Sequence, residues 1–239
     1  MQTVSSLEQL KTLPLEERIR WYIPERLLTS LPIVEYEEPL VNLWVVLKQS
    51  GVTVVLKPIN QSAGAEMLLR QGAAERLAQA ATKIFQESKG ERALKITDAF
   101  RPLAIQRKYF EEIKEKIRQE EGLDGRPLWE RVTQFIADPD LCPPHSTGGA
   151  VDCTLINIRS GEEISMGTAV DTVDDRSNTW HDSLSATERD NRQMLIQAMT
   201  AAGFVNLPSE WWHYSFGDQY WAAFLGKPYA IYGSIEKFN

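Results

Sequence analysis

The sequence is poor in the residues that most often carry metal or redox chemistry. Its 239 residues include two cysteines, Cys142 and Cys153, and three histidines, His145, His181 and His213. Two cysteines cannot build a disulfide framework and supply no recurring cysteine pair of the kind structural zinc sites use; in a reducing compartment both are free thiols. Basic residues are outnumbered, 26 against 33 acidic, and a net charge of −7 with no basic run argues against nucleic-acid and membrane partners. No apolar run is long enough to span a bilayer. The opening residues, Met1-Gln-Thr-Val-Ser-Ser-Leu-Glu8, lack a basic region followed by an apolar core and a cleavage site, so the expected location is cytoplasmic.

A chain of this length suits one domain, with room for an appendage. Leu7, Leu10, Leu13, Ile19 and Ile23 recur at helical spacing, interrupted by Pro14 and Pro24, which predicts short helices before about Leu31. Leu40-Val-Asn-Leu-Trp-Val-Val-Leu47 and Val52-Thr-Val-Val-Leu56 are rich in β-branched residues and flank Lys48-Gln-Ser-Gly51, a hairpin pattern. Residues 1–60 are therefore expected to be an N-terminal extension, and residues 61–239 the main domain. Within the latter the pattern predicts a helix over about 65–87, a strand over 94–98, and a helix opened by Pro102 and running to about 120. A short helix over 128–137, a strand over 150–158 and a long polar loop over 171–183 follow. Ser185-Ala-Thr-Glu188 is a capping box for a helix ended by Gly203, and a last helical piece lies near 220–225.

Two stretches far apart in sequence organise the rest: His145-Ser-Thr-Gly-Gly-Ala-Val-Asp152 and Glu210-Trp-Trp-His213. Two imidazoles and a carboxylate suit Zn2+, and a catalytic zinc takes three protein ligands with the fourth position open; His145, Asp152 and His213 meet that count. Gly148-Gly149 permits a tight turn, and the apolar strand after it carries Asp152 inward. Alternation along the second stretch puts His213 on the face of Trp211 and Ser215, with Trp212, Tyr214 and Phe216 opposite, and Glu210 at the strand's mouth, where a general base belongs. Taken singly, each ligand candidate reads equally as a hydrogen-bonded core residue, and only the combination points to a metal. Cys142, three residues before His145, offers a competing Cys-x-x-His pair that Pro143 and Pro144 stiffen. Arg101 ends a strand just before a helix, a position that aims a side chain into a site, although most arginines are simply exposed. His181 falls in the long loop, and Trp211, Trp212, Tyr214 and Trp221 read as core and pocket wall.

These residues resemble a known family. His145-Ser-Thr-Gly-Gly-Ala-Val-Asp152 and Glu210-Trp-Trp-His213, together with Asp98-Ala-Phe-Arg101-Pro102, Met166-Gly-Thr-Ala-Val-Asp171 and Asp175-Arg-Ser177, are similar in order and spacing to the zinc D-alanyl-D-alanine dipeptidases of peptidase family M15. The likeness covers roughly residues 66–216. Pro143 stands where the family usually has serine, and Val170 where an aromatic is usual. The resemblance implies an α+β single domain of the Hedgehog/D,D-peptidase type: a central antiparallel sheet carrying the zinc site, with helices packed on the other face. It implies one Zn2+ per chain on His145, Asp152 and His213, with a small dipeptide, D-Ala-D-Ala, as substrate. Glu210 is then the base, Arg101 the oxyanion stabiliser and Asp171 the partner of the substrate ammonium. A D,D- or L,D-carboxypeptidase acting on wall peptides shares the same zinc set, and a non-catalytic zinc-containing binding module would keep the ligands but have no need of Glu210 and Arg101.

Overall fold

The computed structural model describes residues 2–57 and 67–235. Nine short or medium strands occur among them: β1 (Gln2–Thr3), β2 (Trp21–Tyr22), β3 (Leu40–Asn42), β4 (Val54–Leu56), β5 (Leu68–Arg70), β6 (Arg92–Asp98), β7 (Ala150–Asn157), β8 (Val205–Leu207) and β9 (Glu210–Ser215). The helices are α1 (Leu7–Thr12), α2 (Leu15–Arg18), α3 (Glu25–Leu28), α4 (Leu43–Gln49), α5 (Gln71–Glu87), α6 (Leu103–Glu121), α7 (Gly125–Val132), α8 (Ala186–Ala201) and α9 (Gln219–Leu225). Among the described residues no helix is long and apolar enough to cross a membrane.

The central sheet has the order β4-β6-β7-β9-β8 and is mixed, which corrects the expectation of an antiparallel one. β6, β7, β9 and β8 pair antiparallel, whereas β4 pairs parallel with β6. The reason lies in the connection. A parallel pair needs a long crossover, and the chain between β4 and β6 includes α5. The expected hairpin over 40–56 is also overturned. Residues 43–49 are α4, capped by the Asn42 side chain accepting from Trp44 N at 2.9 Å. Leu43 and Leu47, four apart, are its buried positions, while Trp44 and Val45 are exposed. A short apolar run fits helix or strand, and here the spacing of the buried leucines decides. β3 instead pairs antiparallel with β5, so residues 68–70, expected to be helical, are strand and α5 begins at Gln71. Residues 65 and 66 of that expectation, and the boundary between residues 60 and 61, lie outside the described residues.

α5 buries Ala73, Ala74, Leu77, Ala81 and Ile84 against β6 and α8. Alternation in β7 sends Val151, Cys153 and Leu155 into the same core, so Asp152 points to the opposite face of the sheet. α8 begins with the expected capping box, Ser185 and Glu188 each accepting from the other's backbone N–H. α6 and α7 bury Phe110, Ile117, Leu128 and Val132 in a smaller separate cluster. The N-terminal segment joins the main core through Val4, Leu10 and Ile23, and Arg18 Nη1 donates to Phe224 O of α9 at 2.7 Å.

Candidate active site

His145 sits in a 3-10 turn, Pro144–Thr147, entered from Pro143. The turn closes at Gly148, whose φ of 72° is the left-handed region. At Gly149 a Cβ would come within 2.1 Å of Phe216 O, so only glycine lets this loop lie against the end of β9. The turn is stitched to the end of β6: Arg101 N donates to His145 O at 3.1 Å, and Ser146 Oγ donates to Arg101 O at 2.7 Å. Sheet register then places Asp152 beside both His213 and Asp98.

His145, Asp152 and His213 are 6%, 2% and 4% exposed, and one ligand atom from each lies within 4.8 Å of the others. His145 Nδ1 faces Ala99 O at 2.7 Å, a carbonyl that can only accept, so the ring proton is on Nδ1 and the Nε2 lone pair points inward. His213 Nε2 faces Ser215 Oγ at 3.3 Å, a hydroxyl that can accept its ring proton, and Nδ1 faces inward. The two inward nitrogens are 3.1 Å apart, and Asp152 oxygens lie 3.3 Å from His145 Nε2 and 3.0 Å from His213 Nδ1. With both rings neutral and their protons on the outer nitrogens, two lone pairs and a carboxylate converge in a buried space. A cation satisfies all three at once, and two imidazoles with one carboxylate are a donor set that suits zinc. The acceptors already perturb one another: burial works against the Asp152 anion, but the His145 and His213 contacts hold its carboxyl well below the usual range. Burial would lower the His145 pKa, and Asp152 outweighs it, so the imidazole is raised. Cys142 is not one of the converging groups; burial pushes its thiol up.

Glu210 places Oε2 4.0 Å from His213 Nδ1, with its side chain 21% exposed. Both residues address the same space because β9 does not alternate regularly: the register against β8 shifts between Asn206 and Leu207. The irregularity corrects the expected arrangement of the tryptophans. Trp212 belongs to the core and also lines the cleft beside His213 and Glu210, whereas Trp211 is in the core and not on the cleft, its Nε1 donating to Thr168 Oγ1 at 2.8 Å. Burial pushes the Glu210 carboxyl up to about 8, opposed by His213 and reinforced by Asp152 and Asp171. Asp171 opens to solvent as a residue, but cleft walls crowd its carboxyl, and with the Asp152 and Asp98 charges they push it up to about 6. Its φ of 59° is rare outside glycine, although Asp tolerates it better than most.

Arg101 is buried at the cleft and paired with Asp98, which takes both Nε, at 3.1 Å, and Nη2, while Nη1 donates to Gln106 Oε1 at 2.9 Å. Those three bonds leave the guanidinium N–H donors to spare for the cleft. The cleft, about 1330 Å³, is lined by His145, Asp152, Asp171, Glu210, His213 and Arg101, and His181 stands on its wall. Asp98 and Gln106, which hold Arg101, and the N-terminal segment, expected as an appendage and here lining the cleft with Tyr22 and Glu25, were not among the expected site residues. Asp98 lay in a matched segment and could have been found as the arginine's partner. Glu25 carried no signal.

A converging His-Asp-His set, with a carboxylate and an arginine on one cleft, defines a metallopeptidase. Residues 31–231 match the peptidase M15 family, D-ala-D-ala dipeptidase. The D-alanyl-D-alanine dipeptidase of Synechocystis sp. is 30% identical, over 87% of this chain and 96% of that protein. That of Escherichia coli K12 is 36% identical over 36% of this chain and 46% of that one. Among solved structures, a variant of the vancomycin-resistance D,D-pentapeptidase VanY in complex with Zn(II) covers 83% of this chain and 96% of its own, with TM-score 0.42 and 14% identity. The chain belongs to the D-Ala-D-Ala dipeptidase family.

Proposed function

We propose that this protein hydrolyses the dipeptide D-Ala-D-Ala to free D-alanine in the cytoplasm, using one zinc ion per chain held by His145, Asp152 and His213. The observation that carries the reading is the convergence of His145 Nε2, His213 Nδ1 and the Asp152 carboxylate, both rings anchored from behind, with Glu210 4.0 Å from His213. When bound, zinc supplies Lewis-acid polarisation of the scissile carbonyl and acidifies water to a pKa of about 7. Glu210 takes the proton from the attacking water and delivers it to the leaving amine. Its carboxyl must be ionised to do so, and a divalent cation nearby acts against the burial that raises it. Arg101, held by Asp98 and Gln106, offers its spare N–H donors to the oxyanion of the tetrahedral intermediate. Asp171 receives the substrate's ammonium. Release of free D-alanine from D-Ala-D-Ala is the experiment that tests the assignment.

One observation favours a second reading. The cleft of about 1330 Å³ exceeds the roughly 300–1,000 Å³ of a usual small-molecule pocket and would admit a longer peptide, as a D,D- or L,D-carboxypeptidase requires. Asp171 separates the two. On the dipeptidase reading, N-acetylating the substrate removes the cation that meets Asp171. The charge-assisted contact amounts to roughly 1.5–3 kcal/mol, so kcat/KM should fall by a factor of about 10 to 150 before any steric penalty. Asp171→Asn should erase most of that preference. Equal turnover of both substrates supports the carboxypeptidase, and a preference that survives in Asp171→Asn assigns the ammonium to another residue.

A further inference from the structure

Residues 1–30 precede the part of the chain that the family matches, yet they help to wall the cleft. Glu25, the first residue of α3, accepts through Oε1 a hydrogen bond from Asp138 N at 3.0 Å, across 113 residues of sequence. That N–H belongs to the same peptide group as Ala137 O, which accepts from Gln106 Nε2 at 2.7 Å. Gln106 in turn accepts, through Oε1, from Arg101 Nη1 at 2.9 Å. The bonds run head to tail from guanidinium to carboxyl. Each intermediate group donates on one side and accepts on the other, the arrangement in which successive hydrogen bonds polarise and strengthen one another.

We propose that Glu25 is a positioning residue for Arg101, acting through the Ala137–Asp138 peptide and Gln106, so that the N-terminal segment is part of the active-site machinery. The inference rests on Arg101 serving the reaction as proposed above. Docking of the segment does not need this bond: Tyr22 already donates to Thr133 O at the C-terminal end of α7 at 3.3 Å, and Ile23 is in the core. Moreover, Glu25 Oε2 is buried with no hydrogen-bond partner, a cost that an apolar residue serving only as an anchor would avoid. Burial pushes the Glu25 carboxyl up to about 8, so at neutral pH the acid form prevails and glutamine is its near-isostere.

The test is a double-mutant cycle on the zinc-loaded, full-length protein. Glu25→Ala should lower kcat on the order of tenfold with KM nearly unchanged, as expected when a catalytic group is misplaced and binding is spared. Glu25→Gln, which keeps the acceptor for Asp138 N, should retain activity. In an Arg101→Ala background, Glu25→Ala should have no further effect. The NMR signal of Arg101 Nε–H should shift in Glu25→Ala and stay in place in Glu25→Gln, a readout that needs no turnover. Unchanged kcat in Glu25→Ala overturns the proposal, as does a loss that persists in full without Arg101. If Glu25→Ala does not fold, Gln106→Leu interrupts the same chain and carries the same expectation. Full turnover in Arg101→Ala alone would instead remove the role assigned to Arg101, with the NMR shift still deciding whether Glu25 positions it.

Discussion

Glu210→Gln is expected to lower turnover of D-Ala-D-Ala by roughly two to four orders of magnitude, the range that general acid–base catalysis supplies, while zinc content stays at one per chain. The separation of the two effects follows from geometry. Glu210 is 4.0 Å from His213 Nδ1, at the edge of the converging ligands, and the amide preserves the side chain's shape while losing the capacity to take a proton from water. The change also removes a half-buried acid whose ionisation is disfavoured in the metal-free protein, so thermal stability should be maintained or improved. Elemental analysis and steady-state kinetics on the same preparation check the prediction. Loss of zinc would make Glu210 a ligand, and near-normal turnover would require another base.

Asp152→Ala is expected to abolish both zinc binding and turnover. Asp152 is the carboxylate of the set and touches both imidazoles, at 3.3 Å from His145 Nε2 and 3.0 Å from His213 Nδ1. Without it, two neutral rings remain with their lone pairs facing each other across 3.1 Å, too few ligands for a zinc site that needs three from the protein. The backs of both rings stay anchored on Ala99 O and Ser215 Oγ, and Asp152 lies on the sheet face opposite the main core, so the fold should persist. Metal content near zero in a protein with an unchanged circular-dichroism spectrum is the expected result. Full zinc occupancy in that variant would show that the metal sits elsewhere.

The parts of this architecture that were legible in the sequence are those where one local rule acts without competition. The Ser185–Glu188 capping box, the proline that opens α6 and the apolar run of β7 each carry a self-contained physical reason, and the structure places elements there. The convergence of His145, Asp152 and His213 was legible because histidine is scarce and two glycines announced a close approach. What misled was context. Residues 43–47 have a composition that a strand would accept, and only their packing, Leu43 and Leu47 inward, makes them helix. The orientation of β4 depends on a crossover through α5 that no local pattern specifies. That Trp212 and not Trp211 reaches the cleft was missed by assuming regular alternation across a strand whose pairing slips beside Asn206. Glu25 was invisible for a different reason: its partner, Asp138 N, is a backbone group, and backbone partners leave no mark on residue identity.

The measurement that tests the central claim most directly is mass-spectrometric detection of free D-alanine after incubation of the purified protein with D-Ala-D-Ala, before and after treatment with a chelator and after zinc is restored. The account predicts release of D-alanine by the zinc-loaded protein, its disappearance with the metal, and its recovery when zinc returns. No release of D-alanine by protein carrying one zinc per chain would contradict the proposed reaction, and release undiminished in protein shown by elemental analysis to be metal-free would contradict the proposed chemistry.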